Sequence, residues 1–223
     1  MKNLYLVIHA KYEKESLPHV LEEIKNSEFK IKIILQHDDL NTIRSILGYN
    51  CEIMYQKESG YGNALIEGIN SVETKYFCIF NADGSFDPKE ITPMLNMLVQ
   101  NRGDFVFGSR YQKNSGSEDD TFITYIGNFF FTKLGRALFD LPLTDILYTY
   151  VLGKTENFKL LNCKKKDFSF CVELPILAKR SKMKILNLPS FERKRIAGKK
   201  KVNAFKDGFL ILKHMIYLYF NKK

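Results

Sequence analysis

The chain has 223 residues, 45% of them hydrophobic and only six of them proline. That composition suits one sizeable α/β domain, or at most two small ones, and excludes a disordered or collagen-like chain. The formal net charge of +9 is unevenly placed: residues 1–149 carry 15 Lys+Arg against 20 Asp+Glu, and residues 150–223 carry 19 against 5.

Such asymmetry assigns an anionic partner to the C-terminal third, with nucleic acid, anionic lipid and a phosphorylated substrate as candidates. The four cysteines, Cys51, Cys78, Cys163 and Cys171, show no CxxC spacing. They read as reduced, buried thiols of a cytosolic protein and not as a zinc site or disulfide frame. The apolar start at residues 4–10 breaks at Lys11, which makes it a first strand and not a signal peptide. No segment reaches the roughly 20 apolar residues of a membrane span.

Strand-like and helix-like patterns alternate along the first half. Residues 4–9 predict a strand, 16–25 an amphipathic helix, 31–36 a strand and 42–47 a short helix. Residues 52–55 predict a strand, 63–72 a helix, 76–80 a buried strand, 88–100 a helix opened by Pro88, and 104–108 a fifth strand. This βαβ rhythm implies a mostly parallel sheet with helices on both faces. Residues 112–121 are polar and predict a loop able to act as a mobile lid. Beyond it lie an aromatic helical stretch at 122–139, a helix around 172–180 and a late strand at 184–189. With no repeat and no linker, residues 1–202 are expected to form a single domain.

Residues 203–223 stand apart. Lys206, Asp207, Lys213, His214 and Asn221 recur at seven-residue spacing, which puts them on one stripe of a helix whose remaining surface is apolar. Such a helix packs into a core, pairs with a second copy of the chain, or lies in a membrane interface. The basic residues just before it, Arg193, Lys194, Arg195 and Lys199 to Lys201, favour the membrane, where they would meet anionic headgroups.

Polar residues at predicted strand ends are the candidates for chemistry, because the sheet holds the chain there while side chains face a crevice. After the 76–80 strand come Asn81, Asp83, Ser85 and Asp87. Oxygen ligands at alternate positions suit a hard divalent cation, and the same residues suit a turn that caps the helix from Pro88. Residues 60–68, GYGNALIEG, place Gly60 and Gly62 at a helix start, where a backbone can approach a phosphate or simply pack tightly. Asp38 and Asp39 end the second strand, as hydrogen-bond acceptors for a nucleotide or as a helix cap. Arg110 ends the fifth, as a planar, permanently charged donor for phosphate or as a surface Arg in a turn.

The order of these pieces resembles family 2 glycosyltransferases with the GT-A fold, closest to the dolichol-phosphate mannosyltransferase-like, polyprenyl-phosphate sugar transferase branch. VIHAKYEKESLP at residues 7–18 is similar to the family's opening P-A-Y-N-E-E-x-S-L, and DDLNT at 38–42 to its D-D-x-S-T. Residues 60–68 resemble G-x-G-x-A-x-x-x-G, Asn81-Ala82-Asp83 the D-A-D motif, and residues 108–111 G-S-R-Y. Gly127, Asn128 and Thr132 with Leu143, Thr144 and Asp145 resemble G-N-x-x-x-T and L-T-D, and Arg195, residues 198–201 and residues 206–208 the closing R…G-K-K…D-G. The chain departs from the pattern in five places: Asn81 replaces the first Asp, His9 the Pro, Lys11-Tyr12 the Tyr-Asn that follows it, Tyr61 a basic residue, and LYTY at 147–150 the usual acceptor sequence.

The resemblance implies an α/β GT-A fold, a Rossmann-like, mostly parallel sheet with helices on both faces. It implies an inverting transfer from a UDP- or GDP-linked sugar to a polyprenyl phosphate. Ala10, Glu13, Asp38, Asp39, Gly60, Gly62, Asn81, Ala82 and Asp83 would bind the nucleotide sugar, with Asp38 or Asp39 facing the base. Asp83 and Asn81, with Asp87 compensating, would hold Mg²⁺ or Mn²⁺. Arg110, Arg195, Lys199, Lys200 and Lys201 would hold the acceptor phosphate. A saccharide hydroxyl as acceptor would instead need a carboxylate base, first Asp145, whose other expected role is partner to Arg195. The chain is expected to be cytoplasmic and peripheral on a membrane, meeting its surface, a membrane subunit or a second copy. Two other readings remain: a non-catalytic relative that binds nucleotide sugar, suggested by Asn81, and a nucleic-acid module. The module is disfavoured because the basic residues adjoin an apolar helix and not a stacking surface.

Overall fold

A computed structural model describes residues 3–198 and 200–221. Strand β1 (Leu4–His9) leads to α1 (Leu17–Ile24), β2 (Lys30–Leu35), α2 (Leu40–Ser45), β3 (Glu52–Tyr55), α3 (Tyr61–Asn70) and β4 (Tyr76–Asn81). A 3₁₀ turn at Pro88–Glu90 then opens α4 (Ile91–Gln100), followed by β5 (Phe105–Ser109), β6 (Gly116–Ser117) and α5 (Phe122–Phe139). The last third holds β7 (Val151–Lys154), α6 (Thr155–Leu161), α7 (Phe170–Arg180), β8 (Ile185–Pro189), β9 (Phe191–Glu192) and α8 (Ala204–Phe220).

Seven strands form one sheet in the order β3-β2-β1-β4-β7-β5-β8. All pairings are parallel except those of β7, which runs antiparallel to β4 and β5. Central strands are apolar on both faces because helices cover both: Val7 and Ile79 face one core cluster, Leu6 and Cys78 the other. The antiparallel β7 has a consequence for the site. Its N-terminal approach, Tyr148 and Thr149, lies at the same edge as the C-terminal ends of β1, β2, β4 and β5, so all five segments supply side chains to one crevice.

The alternating pattern predicted for the first half is present, with boundaries moved by a residue or two. Strand β7 and helix α6 were not anticipated. The expected lid at 112–121 is tied down instead. Its residues Gly116 and Ser117 pair with Phe191 and Glu192, the Glu118 N–H donates to the Glu192 carbonyl at 2.8 Å, and the Tyr111 hydroxyl bonds Asp120. The loop is a wall of the crevice. The polar stripe expected on α8 also divides: Lys206 and Lys213 are exposed, whereas His214 is buried with Ile211, Met215 and Leu218 against the fold.

Candidate active site

A cavity of about 500 Å³ opens at the shared strand edge. Of the residues expected in a site, Glu13, Gly60, Asn81, Ala82, Asp83, Arg110, Arg195, Lys200 and Lys201 line it. These positions span most of the sequence, so the sheet brings together pieces that only their order had linked. Lys199 lies outside the described residues.

The floor is built around Asn81–Ser85. Asp83 Oδ1 accepts from the Ser85 N–H at 3.0 Å, and Asn81 Nδ2 donates to Ser85 Oγ at 3.1 Å. Gly84, at φ +83°, permits the sharp turn, and a Cβ there would meet Ile196 Cδ1 at 2.4 Å. That close approach lets the basic segment between β9 and α8 lie along the floor. The Ile196 N–H donates to the Asp83 carbonyl and the Arg193 N–H to the Ser85 carbonyl, both at 2.8 Å.

This strap carries its cations to the carboxylates. Arg195 Nη2 is 3.0 Å from Asp119 and 3.4 Å from Asp83, Lys200 lies 3.3 Å from Asp119, and Lys201 pairs with Glu13. Burial pushes the Asp119 carboxyl up, but Arg195 and Lys200 outweigh it and leave the group below its ordinary range. Burial, with Lys201 and Lys11 nearby, lowers the His9 pKa to about 4, so the imidazole is neutral at pH 7. The opposite wall is aromatic. Tyr61 stacks on Phe168 at 4.6 Å, meets His9 edge-on at 5.6 Å, and has its hydroxyl 2.5 Å from Thr149 Oγ1. Burial pushes the Cys171 thiol up to about 12, so this cavity-lining sulfur is a packing group and not a nucleophile.

Arg110 and Asp145 form a different arrangement. Asp145 is fully buried and accepts from Arg110 Nε at 2.7 Å, Arg110 Nη2 at 3.0 Å, the Arg110 N–H at 3.1 Å and Asn128 Nδ2 at 2.7 Å. Arg110 Nη1 reaches Glu192 at 3.0 Å. Burial would lower the Arg110 pKa, but Asp145 and Glu192 hold it well above its ordinary value. The residues read as acceptor motifs serve this cluster: Asn128 Oδ1 accepts from the Leu147 N–H, and Thr132 Oγ1 from the Ile146 N–H. Asp145 therefore partners Arg110 and not Arg195. With every oxygen satisfied and none facing the cavity, it is a structural anion and not a base.

Other expected site residues lie elsewhere. Asp38 is exposed and does not line the cavity. Asp39 is buried and spent on backbone, accepting from the Tyr12 N–H at 2.6 Å and the Thr42 N–H at 3.3 Å, which is the helix-cap alternative. Asp87 caps the 3₁₀ turn through the Lys89 N–H at 2.9 Å and does not line the cavity. Ala10 is fully buried and extends the β1–β2 ladder. Gly62 is buried too, and a Cβ on it would meet the Lys165 carbonyl at 2.1 Å, so the glycine serves helix packing. Sequence reasoning missed Asp119, Asp120, Asp167 and Glu192, all of which line the cavity, as does Asp207 of the closing motif. Asp119 and Asp120 sit in a polar run, EDDT, that reads as solvated loop.

Among the described residues no group of three His, Cys, Asp or Glu side chains could hold a metal unaided. The donor set still fits one way of binding a hard cation. Mg²⁺ is commonly held by one or two carboxylates plus substrate phosphates, and Asp83 with the Asn81 amide would supply the protein's share.

Comparison with known proteins agrees with this geometry. The family model described as Glycosyl transferase family 2 matches residues 5–161. An uncharacterised glycosyltransferase of Mycobacterium bovis is 23% identical over 206 residues, 92% of each chain. The UDP-N-acetylglucosamine–dolichyl-phosphate N-acetylglucosaminyltransferase of Methanococcus voltae is 21% identical over 212 residues, 84% of each chain. Among solved structures, mannosyl-3-phosphoglycerate synthase from Rubrobacter xylanophilus superposes with a TM-score of 0.73 at 10% identity, covering 96% of this chain and 72% of that one. Glucosyl-3-phosphoglycerate synthase from Mycobacterium tuberculosis, solved with Mn²⁺ and UDP-glucose, gives 0.71 at 10% identity, covering 97% and 78%. The fold is GT-A, and the chain is a glycosyltransferase that belongs to glycosyl transferase family 2.

Proposed function

We propose that the chain moves a sugar, with inversion, from a UDP- or GDP-linked donor to the phosphate of a polyprenyl lipid at the cytoplasmic face of a membrane. The observation that carries this reading is the strap: Arg195, Lys200 and Lys201 form a cationic wall beside Asp83. Such a wall suits a reaction that brings two anions together, the donor diphosphate and an acceptor phosphate. The acceptor oxygen is already anionic at neutral pH. It forms the new bond to the anomeric carbon while the bond to the diphosphate breaks, and the nucleoside diphosphate leaves with the electron pair. No proton has to be removed, which accords with an Asp145 sealed against Arg110.

Glu13, Gly60, Asn81, Ala82 and Asp83 hold the nucleotide sugar in this reading, and Lys200 and Lys201 are free to exchange a carboxylate for a phosphate. Asp83 and Asn81 are the residues that would hold Mg²⁺ or Mn²⁺. Bound with the diphosphate, such an ion would supply Lewis-acid neutralisation of charge on the departing group. In this reading the outer face of α8 lies against the membrane surface; none of the described helices is long and apolar enough to cross one.

The test is an acceptor panel with Mn²⁺ and radiolabelled UDP- and GDP-sugars: undecaprenyl phosphate, a free oligosaccharide and 3-phosphoglycerate. The expected result is label in the organic phase with the first alone. Label on the oligosaccharide would move the reaction to a hydroxyl acceptor, and label on phosphoglycerate to a soluble phosphate.

A further inference from the structure

Helices α5 and α8 each have two unlike faces. In α5, Asn128, Phe131, Thr132 and Gly135 are buried, while Phe122, Ile123, Ile126, Phe129 and Phe130 are exposed by 77, 57, 48, 52 and 50%. At the helical repeat these exposed residues fall within a single stripe. In α8, Ile211, His214, Met215 and Leu218 are buried, while Phe205, Phe209, Ile216 and Phe220 are exposed on the opposite side.

The two helices pack together and run the same way. A Cβ on Gly208 would lie 3.9 Å from the Phe131 ring, and one helix end further on Phe139 and Tyr219 have ring centroids 6.2 Å apart. Their N-terminal ends therefore share one end of the pair. That end borders the cavity, because Thr124 and Asn128 of α5 and Asp207 of α8 line it. Two aromatic stripes thus start beside the cavity and run away from it over the surface.

Soluble monomers rarely leave two apolar helix faces exposed without a partner. Charge identifies the partner. Helix α5 contains no acidic residue, and the only one in α8, Asp207, lines the cavity. Lys133, Lys206 and Lys213 are exposed on the same helices, with Lys133 Nζ 4.4 Å from the Phe129 ring centroid. Lys200 and Lys201 line the cavity. Aromatic residues fringed by lysines match the boundary between acyl chains and anionic headgroups. A second copy meeting this face about a two-fold axis would set lysines against lysines.

We infer that α5 and α8 together form a membrane-docking face that seats the cavity mouth at the headgroups of an anionic bilayer. The inference deepens the proposed function, by adding α5 to the contact expected of α8, and rests on it for the orientation of the cavity.

The chain has no tryptophan, so one introduced Trp reports its own surroundings. The full chain carrying Phe122→Trp, Phe205→Trp or, as a control on the far edge of the sheet, Leu47→Trp is mixed with phosphatidylcholine vesicles with or without phosphatidylglycerol. Both helix probes should shift to the blue and be quenched by brominated lipid with the anionic vesicles, while the control does not change. The double variant Phe122→Ser, Phe129→Ser should lower partitioning on the order of tenfold with its melting transition unchanged. A silent Phe122→Trp beside a responding Phe205→Trp would overturn the two-helix face. So would light scattering showing a dimer that the double variant converts to monomer. Turnover of a short, water-dispersed isoprenyl phosphate separates the two ideas: activity without vesicle binding leaves the function standing and removes the face, and vesicle binding without activity does the reverse.

Discussion

Two clusters of opposite charges flank the same crevice. Arg110, Asp145 and Glu192 form a closed group: the Asp145 side chain is fully buried, and Arg110 and Glu192 are nearly so. Asp83, Glu13 and Asp119, with Arg195, Lys200 and Lys201, form an open one, whose lysines are 31 and 38% exposed. The first resembles the second in residue types, and carboxylates of the second are also largely buried, Glu13, Asp119 and Asp83 being 9, 11 and 14% exposed; the difference lies in the cations. An arginine buried with its partners cannot release one without stranding a charge, so it acts as architecture. A lysine about a third exposed can exchange its carboxylate for a phosphate at smaller cost, so it can act as machinery. Arginine next to aspartate is no guide to function until burial is known.

The comparison breaks most visibly at Arg110. Arg110→Ala leaves Asp145 and Glu192 uncompensated and should lower stability by about 3–5 kcal/mol, read from the midpoint of a denaturant melt. If the midpoint holds and only activity falls, the closed cluster is not architecture. Asp83→Ala should do the opposite, reducing sugar transfer by about a hundredfold or more while lowering stability by only about 1 kcal/mol, for the lost Ser85 N–H bond and Arg195 pair.

Gly84→Ala probes the seat of the strap. A Cβ there needs a strained backbone and displaces Ile196, so protection of the strap amides should fall by roughly 1 kcal/mol, measured by hydrogen exchange while the sheet amides keep theirs. The smallest effect is on acidification. The Asp119 carboxyl is held below its ordinary value, so its contribution is complete above the usual carboxylate range and is lost as pH falls through the depressed value. In the His9→Gln background, where the depressed imidazole no longer titrates, strap protection should therefore be flat from pH 7 to 5 and decline below it, and a decline beginning near neutrality would assign the titration to another group.

Much of this was legible in the chain itself. The alternation from β1 to β5 is carried by long apolar runs separated by polar turns, and local pattern suffices for that. The convergence of Glu13, Asp83, Arg195 and Lys201 followed from motif order, because strand ends in a parallel sheet share one edge. What stayed hidden depends on distant contacts. Strand β7 is four residues long and exists because β4 and β5 leave a gap for it. Strands β6 and β9 have two residues each. Whether Asp145 meets Arg110 or Arg195, and whether Asp39 meets a base or the Tyr12 amide, is decided by chain paths that composition does not encode. The α5 stripe was visible as an aromatic helix, but its outward orientation was not, since apolar helices usually face inward.

In the proposed reaction Asp83, with Asn81 beside it, receives a nucleoside diphosphate and its cation. Calorimetric titration of UDP and GDP into the full chain, with and without Mn²⁺, measures that directly. One of the two nucleotides should bind more tightly with Mn²⁺ than without, and Asp83→Ala should erase that gain while leaving the metal-free affinity nearly unchanged. Absence of binding by either nucleotide, or a Mn²⁺ gain that survives in Asp83→Ala, would contradict the account.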